Sequence, residues 1–454
     1  MRGYQGHDVP RLYGSTATVE EQRDALTGGE IPVAVYGLGK MGLPLAAALA
    51  ETTGNVIGAD VDESVREHVN SGGSHVKREP GLQPLVADMV DRGSLRALPN
   101  EVAAEQAAVH VVIVPTPIHD DHTPDLSILE AVTSDVASGL DPGDLVVVEC
   151  TVPPRTSTDR LLPLLERESG LERGEFGLAV CPERTSSGRA LADIRGAYPK
   201  VVGGVDAEST RVAELLYGEL TENEVIAVSD ATTAEAVKVF EGVYRDVNIA
   251  LANELARFTD ELGIDVNEAI ETANTLPYAD IHSPGPGVGG HCIPYYPYFL
   301  IETLETNAPL LSTARQVNDS MPGFTVGKIT EELAAAGTDL DDATVLVLGL
   351  TYRPGVEEVR ASPSIEIVRR LSDRGAEVLA VDPMLSDASA FAATQVSLEA
   401  AYDRAVDAVA LVTPHAEFDD VDWTAFPEDV VVVDGRGTLD RDAIDRRVYT
   451  IGSG

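Results

Sequence analysis

Short, mostly apolar runs recur along the first half of the chain, all but one closed at once by glycine, proline or an acid. They cover residues 31–36, 55–59, 109–114, 145–150, 178–181 and 201–203, and the segments between them carry apolar residues at helical spacing. Runs this short and this apolar suit strands buried on both faces. Their alternation with helices predicts an α/β fold built on a mostly parallel, doubly wound sheet. From about residue 230 the strand pattern stops. Ser229-Asp230 can cap a long helix that runs on to Gly263, and a second helix is expected over 267–273. Residues 283–298 are rich in glycine and proline and exclude regular helix. Helical pattern then resumes through Arg315 to about Ala336. Strand-like runs return at 345–348, 378–381, 408–412 and 430–433, with a helix from Ser364. The expected organisation is an N-terminal extension, mobile or loosely docked (1–30), a first α/β domain (31–228), a central helical segment (229–336) and a smaller α/β domain (337–454).

The first run leads into Gly37-x-Gly39-x-x-Gly42, then an Ala/Leu-rich helix, then a second strand that ends at Asp60. This is the order of a dinucleotide-binding βαβ unit. Glycines permit the tight turn and let the N–H groups around Leu38 approach a pyrophosphate at the helix start. Asp60 stands where a carboxylate accepts hydrogen bonds from a ribose 2′-hydroxyl, which favours NAD over its 2′-phosphorylated form. Ligands of such sheets meet the carboxyl ends of the strands. Thr116, Thr151 and Glu183, just past those ends, are therefore candidate site residues.

Charge narrows the partners. Lys plus Arg total 33 and Asp plus Glu 75, for a formal net charge of -42. That excludes nucleic acid and anionic membrane as natural partners, since both are polyanions. Only five of the basic residues are lysines. The acid excess is spread along the chain and reads as a hydrated shell, as in a halophilic, high-salt cytoplasm. Three cysteines cannot make a disulfide framework and fit a reducing compartment. No apolar run is long enough for a membrane span, and the first 30 residues lack an apolar signal core. A cytoplasmic location is expected.

Cys292 lies in SPGPGVGGHCIP, after Gly285, Gly287, Gly289 and Gly290. Glycines let a substrate come close to the main chain, and a thiol in such a loop can be reached and activated. Cys292 is the candidate nucleophile. Cys150 and Cys181, at strand ends, read as packing residues. Arg245 follows Lys238 by seven residues, so both project from one face of the long helix. An apolar stripe on that helix (Val243, Val247, Leu251, Leu255) predicts a homodimer or a multiple of it. No metal is expected.

The stretches GLGKMGLP, VPTP, ECTVPP, CPER, KVFEGVYRDVNIALANELA, PGPGVGGHCIP and GLTYRPGVEEVRASPSIEI occur in this order from about Val33 onward. Together they resemble the UDP-glucose/GDP-mannose dehydrogenase family. The RDVNIALANEL and PGPGVGGHCIP forms are most similar to its branch acting on UDP-N-acetyl-D-mannosamine; UDP-glucose and UDP-N-acetylglucosamine remain alternatives, as does a non-catalytic nucleotide-sugar-binding protein. The resemblance implies an N-terminal NAD domain, a C-terminal UDP-binding domain, and oxidation of a sugar C6 alcohol to a carboxylate with two NAD. It implies that Cys292 forms a thiohemiacetal and then a thioester, that Lys238 stabilises oxyanion character, that Glu183 moves protons, and that Thr151 holds water or cofactor. It also implies Arg184, Lys238, Arg245, Gly289 and Arg353 as substrate contacts, and Arg360 as a residue that reaches a cofactor. Three departures stand out. Gly242 replaces the family's usual Asn, Tyr296 replaces its frequent Asp, and Leu276-Pro277-Tyr278 replaces the branch's His-Pro-Arg.

Overall fold

The computed structural model describes residues 10–186 and 188–454; the first nine residues of the expected extension lie outside them. The chain divides into two compact units, one running to Phe240 with Tyr298–Thr303, the other holding Glu241–Pro297 and Leu304–Gly454.

The first unit is built on an eight-stranded sheet. Its strands are β1 (Val33–Tyr36), β2 (Val56–Ala59), β3 (Leu95–Leu98), β4 (Val109–Val112), β5 (Leu145–Val148), β6 (Gly177–Val180), β7 (Lys200–Gly204) and β8 (Val225–Ala227), in the order β3-β2-β1-β4-β5-β6-β7-β8. All neighbours are parallel except β6 and β7, which pair antiparallel. Both faces are covered, as the apolar runs require. Val33 and Val35 of β1 join one core, Ala34 and Tyr36 the other. The direction of winding reverses between β1 and β4, and that reversal opens the crevice where such sheets bind ligands.

Residues 10–30 are not loosely held. Leu12 and Leu26 are fully buried in the first core. A helix over Val19–Thr27 begins with a capping box between Thr18 and Glu21. Arg11 reaches the buried Asp144 at 2.7 Å, and the Tyr13 hydroxyl donates to Asp206 at 3.0 Å. The apolar residues that anchor this segment are too sparse to form a run, so the sequence pattern passes over them.

The second unit holds a six-stranded, wholly parallel sheet: β9 (Thr344–Leu348), β10 (Glu377–Val381), β11 (Thr394–Gln395), β12 (Ala408–Leu411), β13 (Val431–Asp434) and β14 (Arg447–Thr450), in the order β11-β10-β9-β12-β13-β14. The carboxylate of Asp382, just past β10, accepts from the N–H groups of Leu350, Thr351 and Met384 and lies 3.2 Å from His415 Nε2. Burial alone would raise its pKa, but these hydrogen bonds outweigh it and hold the group at about 2.

The long helix covers Ala231–Ala256 and is capped by Asp230, whose Oδ1 accepts from Thr233 N–H at 2.7 Å. It does not run unbroken to Gly263. At Arg257 and Phe258 the hydrogen bonds tighten to the residues three before, and a separate short helix, Thr259–Leu262, closes on Gly263 with φ +65°. The helix Val266–Ala273 and a long helix Pro309–Ala336 follow, with no regular helix over 283–297 between them.

Candidate active site

In the first unit the glycine turn is shaped by three different demands. A Cβ on Gly37, at φ +94°, would stand 2.6 Å from the Ile113 carbonyl oxygen, and one on Gly42 would stand 1.7 Å from that of Gly37. Those two glycines are needed for the turn to close against its own sheet. A Cβ on Gly39 would meet nothing within 4 Å. The room at Gly39 is open, as a pyrophosphate approaching the start of the helix Gly42–Thr53 requires. Asp60 Oδ2 accepts from Leu38 N–H at 2.9 Å, which fixes the carboxylate beside the turn with acceptor capacity to spare. The residues present fit a dinucleotide.

Thr116 and Thr151 come together: the Thr116 hydroxyl donates to the Thr151 carbonyl at 2.6 Å, joining the loops after β4 and β5. Glu183, after β6, accepts from the N–H and hydroxyl of Thr185. Arg184 donates to the Pro199 carbonyl at 2.8 Å. Beneath these loops the buried Glu149 takes Lys200 Nζ at 2.7 Å and the Tyr217 hydroxyl at 2.6 Å. Cys150 and Cys181 are buried, and burial pushes both thiols up to about 12. They are packing residues, as their strand-end positions suggested. Lys238 is part-buried on the long helix. One turn earlier, the buried Glu235 accepts from the N–H groups of Arg155 at 2.6 Å and Ser157 at 2.8 Å. Burial raises Glu235 to about 7, with these hydrogen bonds opposing the rise.

In the second unit, Cys292 is half-exposed, in contrast with the other two cysteines. Its loop is held by its surroundings. Gly290 N–H donates to the Arg360 carbonyl at 2.9 Å, and His291 pairs with Glu358. At Gly289 a Cβ would stand 2.8 Å from both the Ala361 oxygen and Tyr352 Cβ. That glycine is demanded by packing against the 352–361 segment. Arg245, Arg353 and Arg360 are exposed. Arg353 lies 6.0 Å over the Tyr352 ring, and Arg360 Nε is 4.0 Å from Glu358. Among the described residues, no cluster of three or more His, Cys, Asp or Glu could hold a metal.

The comparisons with known proteins agree with this layout. Three models of the UDP-glucose/GDP-mannose dehydrogenase family match: its NAD-binding domain at residues 31–221, its central domain at 232–320 and its UDP-binding domain at 346–441. The chain belongs to this family. A UDP-N-acetyl-D-mannosamine dehydrogenase of Pyrococcus horikoshii is 37% identical over 412 residues, 90% of this chain and 96% of that one. An NDP-N-acetyl-D-galactosaminuronic acid dehydrogenase of Ralstonia solanacearum is 35% identical over 415 residues, covering 89% and 95%. The solved structure of the UDP-D-ManNAc dehydrogenase from Pyrococcus horikoshii aligns with a TM-score of 0.85 at 35% identity, covering 93% of this chain and 99% of that one.

The protein is therefore an NAD-dependent nucleotide-sugar dehydrogenase. No helix among its described residues is long and apolar enough to cross a membrane. Three features of this dehydrogenase lie outside the sequence reading. Arg436, two residues past β13, packs its guanidinium where a Cβ on Gly285 would be 2.7 Å away, and burial lowers its pKa to about 10. Its signal was Asp434-Gly-Arg-Gly at a strand end. Asn253, fully buried on the long helix, accepts from Gly285 N–H at 2.8 Å and donates to Asn318 at 2.9 Å. Glu235 is the third, hidden in a helix that also carries solvated acids.

Proposed function

We propose that this dehydrogenase oxidises the C6 hydroxyl of UDP-N-acetyl-D-mannosamine to a carboxylate through a covalent intermediate on Cys292. The observation that carries this reading is Cys292 itself: the one half-exposed thiol among three cysteines, in a loop held by hydrogen bonds, in a chain matched over nearly its whole length by mannosamine dehydrogenases. NAD, when bound, would supply the hydride acceptor for both oxidation stages. Gly37, Leu38, Gly39, Gly42, Asp60, Thr116 and Thr151 would hold it, and Arg360 would reach it from a second copy of the chain.

The protein's own groups do the rest. The alcohol passes its proton through Glu183 to solvent while Lys238 stabilises the alkoxide, which becomes the aldehyde as its hydride leaves. The Cys292 thiolate adds to the aldehyde carbon, giving a thiohemiacetal alkoxide; loss of hydride from it leaves a thioester. Glu183 takes a proton from water, the water oxygen adds to the thioester carbon, and the C–S bond breaks to return the thiolate. Thr151 helps place that water. Arg184, Arg245, Arg353, Gly289 and Arg436 are the candidates for diphosphate and sugar contacts, guanidinium being suited to paired oxygens. Exposed Phe240, Tyr244 and Leu251 on the long helix support a homodimer.

NADH formation with a panel of UDP-sugars tests the reading. UDP-N-acetyl-D-mannosamine should give the highest kcat/KM. The Ralstonia relative's name makes an N-acetylgalactosamine nucleotide the second reading. Preference for UDP-glucose would overturn both, and absence of turnover with every member would favour a binding protein.

A further inference from the structure

Gly242 and Tyr296, two of the three departures from the family pattern, meet at one point in the second unit. Gly242 lies inside the helix Ala231–Ala256, where alanine is ordinarily favoured over glycine. A Cβ on Gly242 would stand 2.2 Å from Tyr296 Cδ2, 3.0 Å from its Cγ and 3.1 Å from its Cβ. These atoms are the base of the side chain, not a flexible tip. Tyr296 is 6% exposed, so its ring cannot swing aside without losing its packing. The space left by the missing side chain at 242 is the space this ring fills.

The other end of the connection is backbone. The N–H groups of Tyr295 and Tyr296 both donate to the Cys292 carbonyl, each at 3.0 Å. Cys292 thus opens a turn that Tyr296 closes, and Tyr296 seats its ring on the helix. With glycine at 242, the Tyr296 ring lies against the helix at this position.

We infer that Tyr296 is the positioning residue of the Cys292 turn and that it works only with glycine at 242. The inference rests on the proposed role of Cys292 as nucleophile. It assigns Tyr296 no contact with the reacting atoms.

A double-mutant cycle tests it with G242A, Y296A, the double variant and Y296F. The readouts are the alkylation rate of Cys292 by iodoacetamide across about pH 6–9, kcat with the UDP-sugar, and KM for NAD. Cys150 and Cys181 are buried and contribute little to alkylation. G242A and Y296A should each shift the alkylation rate about tenfold and lower kcat roughly ten- to a hundredfold, a loss typical of a displaced reacting group, with KM for NAD within about twofold. The double variant should be no worse than Y296A, because the ring that collides is gone. Y296F, which keeps the ring that meets the helix, should stay within about threefold of the parent. Parent-like behaviour of G242A, effects that multiply in the double variant, or a Y296F as damaged as Y296A would each overturn the inference. If Y296A loses its thermal transition, G242A and Y296F decide alone. If the parent turns over no UDP-sugar, the function reading fails, while the alkylation cycle still decides whether 242 and 296 are coupled.

Discussion

At the scale of single residues, environment separates groups of the same chemical type. Three thiols share one chain, yet burial raises Cys150 and Cys181 out of the reactive range while Cys292 stays half-exposed. C292S should therefore lower uronate formation by several orders of magnitude, as loss of a nucleophile does, with the dissociation constant for NAD unchanged in a fluorescence titration. Full carboxylate production by C292S would contradict the role. Carboxylates divide in the same way. Asp382 is held at about 2 by its donors, whereas Glu235 is raised to about 7 by burial. Because Glu235 is raised on folding, it contributes stability that is full below its unfolded value of 4.5 and is lost as pH rises through about 7. Between these two values the parent should lose on the order of 3 kcal/mol relative to E235Q, read from urea midpoints at successive pH. Parallel pH profiles for the two proteins would refute this.

At the scale of elements, much was legible. The glycine turn, the strand that precedes it and Asp60 carry their signal in a continuous stretch, because a parallel strand buried on both faces must be apolar throughout. β3 and β14 were not legible: each carries an arginine and sits at a sheet edge, where one side of the ladder is unpaired. β8 was missed for a related reason, being three residues long and exposed on two of them. The break at Arg257 was hidden because no glycine or proline marks it, and only the tightened hydrogen bonds reveal it. The glycines around Cys292 marked it as a candidate, and its thiol is half-exposed; Asn253 carried no such mark, since an asparagine in a helix shows no local sign of a partner 32 residues away. Its two hydrogen bonds link the long helix to the Cys292 loop and to the helix Pro309–Ala336. N253A should cost about 2–3 kcal/mol, since buried partners are left unsatisfied, and should lower kcat more than it changes KM for NAD. A stability change under about 0.5 kcal/mol, the range of ordinary surface substitutions, would show that this link carries nothing.

At the scale of the whole molecule, the charge of -42 sets the response to salt. Screening shortens from about 30 Å at 0.01 M to about 3 Å at 1 M. Repulsion among surface carboxylates should fade accordingly, so the melting temperature should rise from about 0.1 M towards molar KCl. Ion pairs from arginine to the substrate diphosphate should weaken over the same range, and KM for the UDP-sugar should rise or stay flat. A melting temperature indifferent to salt would remove the reading of the acidic shell as an adaptation. Light scattering at high salt should give the mass of a dimer or a multiple of it, and Y244E/L251E should reduce that mass. A monomeric parent would contradict the proposed assembly.

In the proposed reaction an alcohol passes through two oxidations, the second of them while the substrate is bound to Cys292. The most direct test is the ratio of NADH formed to UDP-N-acetyl-D-mannosamine consumed, followed at 340 nm with the uronate quantified in the same reaction. Two NADH should form for each sugar, with no released aldehyde and with a thioester-linked sugar on Cys292 when the reaction is quenched in acid during turnover. One NADH for each sugar with free aldehyde accumulating, or two NADH from a protein lacking the Cys292 thiol, would contradict it.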